Sequence, residues 1–188
     1  PFDYQRIDDG ALAVQTMAGD EGSFIAGGTN LLDLMKLDVM RPDAVIDING
    51  LDKRYGEIRI DDGGLLLGAL GRMGDAAAHS GILKSFPVIA LSLDLAASPQ
   101  IRNMASLGGN LLQRTRCTYF RDTSWSACNK RSPGSGCAAM DGVNRPHALL
   151  GTSDDCIATY PGDFAQALIA LDATVEIMGA TGKRAIPI

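Results

Sequence analysis

Apolar residues change period along the chain, and each change marks an element. Residues 11–18 have helix-forming composition and stop at Gly19; Ser23-Phe24-Ile25-Ala26 follows as a short apolar strand running into Gly27-Gly28. Asn30 then stands as the N-cap of a second helix, whose apolar face is Leu31, Leu32, Leu34, Met35 and Leu37. Ala44-Val45-Ile46-Asp47-Ile48 is the next strand, and Ile58-Arg59-Ile60 with Leu65-Leu66-Leu67, around Asp62-Gly63-Gly64, reads as a hairpin. Helices are expected near residues 75–79 and over 83–97, the second with Pro87 near its start and Ser98-Pro99 as its stop. From Cys117 to about Cys156 no period is sustained. Asp163 then precedes a helix over residues 164–171, and Thr174-Val175-Glu176-Ile177-Met178 reads as a strand. Nothing after that strand closes the fold, so a further lobe is expected beyond it.

The order helix, strand, Gly-Gly, helix puts the amides of Ala26-Gly27-Gly28-Thr29-Asn30-Leu31 at a helix N-terminus, where the peptide dipoles favour negative charge. A second segment, Ser106-Leu107-Gly108-Gly109-Asn110-Leu111, has the same chemistry about eighty residues on. Glycine pairs let main chain approach a bulky anion with no Cβ in the way, so a dinucleotide pyrophosphate would use both. Taken singly, each is also an ordinary turn in which Ser, Thr or Asn makes local bonds. The Lys-Ser/Thr of a nucleotide P-loop and the Gly-x-Gly-x-x-Gly of a Rossmann turn are absent. Gly68, Gly71 and Gly74 read as a strand-to-helix turn.

Composition narrows the class. A net charge of −5 with no basic patch argues against a nucleic-acid partner. No run of 18 apolar residues crosses a membrane, and the first residues carry no export signal. No Gly-x-Ser-x-Gly elbow precedes a helix, which excludes that hydrolase chemistry. His79 and His147 have no partner at metal-ligand spacing and read as structural or solvent-facing.

The four cysteines, Cys117, Cys128, Cys137 and Cys156, have ten, eight and eighteen residues between successive members, with no Cys-x-x-Cys pair. That spacing argues against a zinc ribbon or an ordinary ferredoxin without excluding an iron–sulfur cluster. Two disulfides, or scattered thiols, are the plain alternatives. Because all four fall within forty residues of irregular chain, a shared ligand is favoured. Four thiolates on a metal would hold an excursion that has no core of its own. Arg114, Arg116, Arg121, Lys130 and Arg131 lie near, and their charge would stabilise such a cluster.

The run Phe24-Ile25-Ala26-Gly27-Gly28-Thr29-Asn30-Leu31-Leu32-Asp33-Leu34-Met35-Lys36 resembles the first pyrophosphate loop of the medium, FAD-binding subunit of molybdenum hydroxylases of the xanthine dehydrogenase family. Residues 111–117, Cys128-Asn129-Lys130-Arg131 and Pro133-Gly134-Ser135-Gly136-Cys137-Ala138-Ala139 resemble an insertion seen in bacterial, periplasmic-type aldehyde oxidoreductases. There, and in a related benzoyl-CoA reductase subunit, it ligates a [4Fe–4S] cluster. The likeness covers essentially the whole chain.

The resemblance implies an α+β, two-lobed FAD-binding fold of the PCMH/vanillyl-alcohol-oxidase type: a small α/β lobe over residues 1–50, a larger lobe over 51–188, and an irregular insertion at about 114–158. The C-terminal domain usual in the family is not in this sequence. Carried over by position, Phe24, Ile25, Ala26, Gly27, Gly28, Thr29, Asn30 and Leu31 would meet the FAD phosphates, and Ala97 would lie near the flavin. Ser106, Gly109, Asn110 and Gln113 would extend the site, Asp163 would bind ribose hydroxyls, and Cys117, Cys128, Cys137 and Cys156 would hold the [4Fe–4S] cluster. No residue acts as catalytic acid or base.

The implied function belongs to a complex. A large subunit with the molybdenum cofactor oxidises an aldehyde or heterocycle, and a small subunit with two [2Fe–2S] clusters passes electrons to FAD on this chain, which hands them to an external acceptor. The complex would lie in the periplasm, exported folded on a partner's signal, or in the cytoplasm. The other readings are a stand-alone flavin oxidase fragment, whose substrate domain and covalent flavin attachment are not seen, and a non-catalytic scaffold stabilised by its cluster.

Overall fold

The computed structural model describes residues 1–17 and 22–188; Gly19, expected to end the first helix, lies outside them. Along the chain run β1 (Asp3–Arg6), α1 (Gly10–Met17), β2 (Gly22–Ile25), α2 (Leu31–Lys36), β3 (Ala44–Asp47), a 3-10 turn (Asn49–Leu51), α3 (Asp52–Tyr55), β4 (Ile58–Asp61) and β5 (Gly64–Leu67). They are followed by α4 (Met73–Ala78), α5 (Ser80–Ser85), α6 (Pro87–Asp94), α7 (Pro99–Met104), α8 (Leu107–Leu111), α9 (Thr118–Arg121), α10 (Asp163–Ala170), β6 (Thr174–Gly179) and β7 (Gly182–Pro187).

Internal contacts divide the chain into two compact units, one of Pro1–Thr29, Pro42–Leu112 and Gly162–Ile188, the other of Asn30–Arg41 and Gln113–Pro161. This differs from a split at residue 50. The reason is α2, whose Leu34 is fully buried against Phe120 and Cys128 of the cysteine tract.

In the first unit β1, β3 and β2 form a parallel sheet in that order, with Asp3 and Gly22 both level with Ala44. Val45 and Ile46 of the central β3 are buried, as the apolar run predicts. β1 is a strand that Asp-Tyr-Gln-Arg does not announce, since its residues are polar and exposed. Ile7, Ala13, Ile46, Leu51 and Leu70 close a small core beside this sheet. β4 and β5 form the expected antiparallel hairpin, and Gly64 takes its turn at φ +116°.

The helix expected over 83–97 is two helices. Phe86, at φ −135° and ψ 52°, leaves the helical region because the following Pro87 ring crowds it, and Pro87 then opens α6 as its first residue. His79 caps α5, its Nδ1 accepting from the Ile82 N–H at 3.4 Å, so that histidine is structural. The main core joins Met73, Ala76, Ile82, Ile89, Leu93, Leu107, Phe164, Ala167 and Leu168, with the hairpin residues Ile58, Ile60, Leu65 and Leu67 packed on it. β6 and β7 pair antiparallel.

The second unit has α2 and α9 as its helices and a core of Leu34, Phe120 and Cys128, with Val39, Met40 and Cys117 against it. Polar side chains do the rest. Arg131 donates to the carbonyls of Tyr119, Phe120, Asp122 and Trp125, gathering the exposed end of α9. Tyr119 meets Trp125 edge to face at 5.0 Å and accepts the Val143 N–H at its hydroxyl.

Phe164 is 2% exposed where α10 meets the main core. Phe164→Ala is expected to lower the stability of the first unit by about 3–5 kcal/mol, measured by denaturant unfolding, through lost burial and a cavity.

Candidate functional site

The first glycine segment leaves the sheet after Ile25. A Cβ on Gly27 would stand 1.8 Å from the Met104 carbonyl oxygen and 3.1 Å from the Ala105 Cα, so main chain lies on main chain there. Gly28 has φ +73°, which a side chain resists. Among the described residues, the amides of Gly27, Gly28, Thr29 and Asn30 donate to no backbone or side-chain acceptor. A run of unclaimed N–H groups is the donor set that phosphate oxygens require.

The second segment is built differently. It is not an open turn: Ser106 caps α8, with its hydroxyl accepting from Gly109 N at 3.2 Å. The amides of Leu107, Gly108 and Asn110 go to the carbonyls of Gly71, Ala69 and Ser106 at 2.9, 2.8 and 2.9 Å. No N–H of Leu107–Asn110 is left for an anion, which corrects the expectation that both segments grip a diphosphate through their amides. The glycines serve packing instead: a Cβ on Gly108 would come 3.0 Å from the Ala69 carbonyl oxygen and one on Gly109 2.8 Å from Ser106 Oγ. Glycine's poor helix propensity hides this helix in the sequence, and the Ser-x-x-Gly cap overrides it.

Gly27 against Met104 and Ala105 places the first segment directly on the residues preceding Ser106. A polar network that sequence reading missed runs through the same place. Asp47, 8% exposed at the end of β3, accepts from the Tyr4 hydroxyl at 2.6 Å, from the Asn49 backbone N–H at 2.8 Å and from Asn49 Nδ2 at 2.7 Å. Asn49 Nδ2 also donates to the Ala26 carbonyl at 2.9 Å. Arg72 donates to Asn49 Oδ1 at 2.9 Å and to the Met104 carbonyl at 2.7 Å. Asp-x-Asn directly after a strand, an Asx-turn pattern, is the signal that would have found it. Although burial works to raise the Asp47 carboxyl, the hydrogen bonds from Tyr4 and Asn49 and the charge of Arg6 hold it below its ordinary value.

The remaining candidates stand as follows. Phe24 is exposed, and Ile25 ends β2. Ala97 has φ +50°, and Arg102 holds its carbonyl and that of Ala96 at 3.1 Å each while also pairing with Asp94. Asp163 is the exposed first residue of α10, whose Phe164 shares the core with Leu107 of α8. In the second unit, Asn30 occupies the N-cap position of α2 without capping it; its Oδ1 accepts from Arg114 N at 3.1 Å, and its Nδ2 is buried with no acceptor among the described residues. Leu31 opens α2, and Gln113 hydrogen-bonds Tyr160.

The four cysteines are all unpaired by disulfides and all lie in the second unit. Cys128 and Cys137 face each other across an isolated antiparallel bridge, and Asn129 reaches the Asp155 carbonyl, beside Cys156, at 2.8 Å. Burial pushes the Cys117 thiol up; the amides of Phe120 and Tyr119 oppose this, and the nearby Cys128 and Cys137 add to it. Ala158 N–H approaches Cys156 Sγ at 3.5 Å. His147, read from sequence as a bystander, has Nε2 3.2 Å from Cys117 Sγ. The arginines are mostly spoken for: Arg121 and Arg116 pair with Asp33, Arg131 holds carbonyls, and Arg114 lies over the Phe120 ring. Among the described residues no three His, Cys, Asp or Glu side chains are grouped to hold a single metal ion. One ion with ~2.3 Å metal–sulfur bonds needs its ligands closer together than a cluster of several metals does.

A mixed fold with a cradle of free amides set on a helix cap defines a protein built to bind a phosphate-bearing cofactor. The chain belongs to the family described as the FAD-binding domain in molybdopterin dehydrogenase, which matches residues 1–188. It is 50% identical over 185 residues to the aldehyde oxidoreductase FAD-binding subunit PaoB of Escherichia coli, covering 97% of this chain and 57% of that one. It is 32% identical over 101 residues to the carbon monoxide dehydrogenase medium chain of Hydrogenophaga pseudoflava, covering 54% of this chain and 35% of that one. Among solved structures, quinoline 2-oxidoreductase of Pseudomonas putida 86 shares the fold at TM-score 0.68 and 21% identity, over 100% of this chain and 50% of the other. The matches thus cover between 35% and 57% of the length of these relatives. Among the described residues no helix is long and apolar enough to cross a membrane.

Two outcomes follow. Gly27→Ala is expected to raise the FAD dissociation constant by about tenfold or more, read by flavin fluorescence titration, because its Cβ meets backbone that cannot swing away. Because the folded carboxyl of Asp47 lies below its ordinary value of 3.8, its stabilisation is complete above that value and lost as pH falls through the lower, folded one. Thermal unfolding midpoints should drop on acidification below about pH 4, and less steeply in Asp47→Asn.

Proposed function

We propose that this chain is the FAD-binding electron-transfer part of a molybdenum-dependent aldehyde oxidoreductase, with a [4Fe–4S] cluster on Cys117, Cys128, Cys137 and Cys156. The observation that carries the flavin half is the run of unclaimed amides from Gly27 to Asn30 on a backbone-to-backbone contact that only glycine permits. The aldehyde reading rests on likeness to the Escherichia coli subunit over nearly the whole chain.

Bound FAD supplies two-electron acceptance with one-electron exchange. The first glycine segment holds the diphosphate, and the surface at Ser106, Gly109 and Asn110 bounds the site. Ala97 stands near the flavin, and Asp163 reaches ribose hydroxyls. The resemblance also carries over Asn30, Leu31 and Gln113, which belong to the second unit. No side chain moves a proton. Electrons reach this chain from the two [2Fe–2S] clusters of a small subunit, after oxidation at the molybdenum cofactor of a large subunit, and leave to an external acceptor.

Several features support the cluster. The four reduced cysteines share one compact unit, Cys117 senses Cys128 and Cys137, and backbone N–H groups approach the sulfurs of Cys117 and Cys156. Such N–H donors stabilise thiolates bound to iron.

Anaerobic purification of the complex, followed by FAD release and by iron and acid-labile sulfide determination, tests the reading. Four irons beyond those of the small subunit and flavin absorption bands support it; a chain without flavin overturns it. Cys137→Ser should remove those four irons with FAD retained, because Gly27, Gly28 and the second glycine segment belong to a different compact unit from the cysteines. Unchanged iron in that variant would overturn the cluster.

A further inference from the structure

We infer that Arg72 and Asn49 act as a clamp that fixes the first glycine segment against the second, and that this clamp, rather than the second segment's amides, sets FAD affinity. The inference rests on FAD as the ligand of these segments and adds two positioning residues that lie in neither glycine motif.

The relay is continuous. The Ala26 carbonyl, one residue before Gly27, is held by Asn49 Nδ2; Asn49 Oδ1 is held by Arg72; and the other arm of Arg72 holds the Met104 carbonyl. That same Met104 oxygen is the atom nearest the missing Cβ of Gly27. One chain of three hydrogen bonds therefore spans the backbone contact on which the cradle rests. Its direction is fixed by Asp47. Because Nδ2 already donates to Asp47 Oδ1 and to the Ala26 carbonyl, the Asn49 amide cannot flip without turning its oxygen toward two acceptors. Asn49 thus presents only its oxygen to Arg72.

Arg72 is suited to this by geometry as well as charge. Its backbone, extended at φ −80° and ψ 143° before α4, bridges Ser106, the cap of α8. A planar guanidinium reaches two acceptors in fixed directions, which an ammonium does not. Among the described residues Arg72 pairs with no carboxylate, unlike Arg41, Arg59, Arg102, Arg116 and Arg121. Its positive charge thus meets no carboxylate among the described residues, beside a loop whose amides favour an anion. The second segment, with its amides spent, offers no such donors.

The test uses the assembled complex after removal of flavin, titrated with FAD, in parent, Arg72→Lys, Arg72→Met, Asn49→Ala and the double variant Arg72→Lys/Asn49→Ala. Arg72→Lys should weaken FAD binding about tenfold and Arg72→Met further, the loss of a charged hydrogen bond and then of the charge itself. The double variant should be no weaker than the worse single, since both cut one relay. Unfolding midpoints of the flavin-free variants report any general loss of fold, with Phe164→Ala as the comparison for a purely structural lesion. Affinity that survives Arg72→Lys and Arg72→Met overturns the clamp. So do additive losses in the double variant, or losses that only track the unfolding midpoint as they do in Phe164→Ala. A parent complex that never takes up FAD would instead sink the flavin reading itself, so the two failures are distinguishable.

Discussion

The approach of Gly27 to the Met104 carbonyl and the Ala105 Cα is the constraint on which the candidate site depends. Two stretches of backbone meet there at a distance that no Cβ allows, and the turn at Gly28 needs a positive φ immediately afterwards. Among the described residues, the amides of Gly27, Gly28 and Thr29 are left there without an internal acceptor. These residues are half-buried, so their N–H groups remain open to a partner that supplies oxygen atoms. The sheet edge, the 3-10 turn bearing Asn49 and the start of α4 all contribute groups to this one contact.

The two glycine segments look alike in sequence and are not alike in structure. One spends its glycines on close approach and keeps its amides; the other spends its amides on the helix cap and on the carbonyls of Ala69 and Gly71. That asymmetry divides the labour at the site. On the proposed flavin site, the first segment would provide donors and α8, anchored through Leu107 in the main core with Phe164, a fixed floor. There, a diphosphate met by amides from one side would draw on positive charge from elsewhere, and Arg72 pairs with no carboxylate among the described residues.

Features carried by residue type alone were legible from the sequence. The first glycine segment, β3, the β4–β5 hairpin and the compact cysteine tract all follow from apolar runs, turn residues or clustering. What was not legible depends on partners distant in sequence. β1 is polar and becomes a strand only by pairing with β3. The 83–97 helix breaks because Phe86 precedes a proline, a local rule that its apolar run concealed. Asn30 has the right residue type for a cap, yet its oxygen is drawn off by Arg114, 84 positions away. Of the Asp47, Asn49 and Arg72 network only the Asp-x-Asn turn has a local signal; Arg72 joins it when the fold brings Ala26 and Met104 together.

The second unit carries the same logic into the cysteines. Its apolar core is small, and one of its three buried members, Cys128, is itself a thiol. A packed core would normally be needed to hold so irregular a tract, and hydrogen bonds from Arg131, Asn129 and Tyr119 replace only part of it. Burial pushes the Cys117 thiol up, and the neighbouring Cys128 and Cys137 add to it. The amides of Phe120 and Tyr119 oppose this, as they favour the thiolate over the thiol. On the proposed ligation, His147 would donate from Nε2 to the Cys117 sulfur, since its Nδ1 is buried with no partner among the described residues and is better left as a bare acceptor than as an unsatisfied donor. On the proposed ligation, the cluster would supply the cross-links that the small core of Leu34, Phe120 and Cys128 does not.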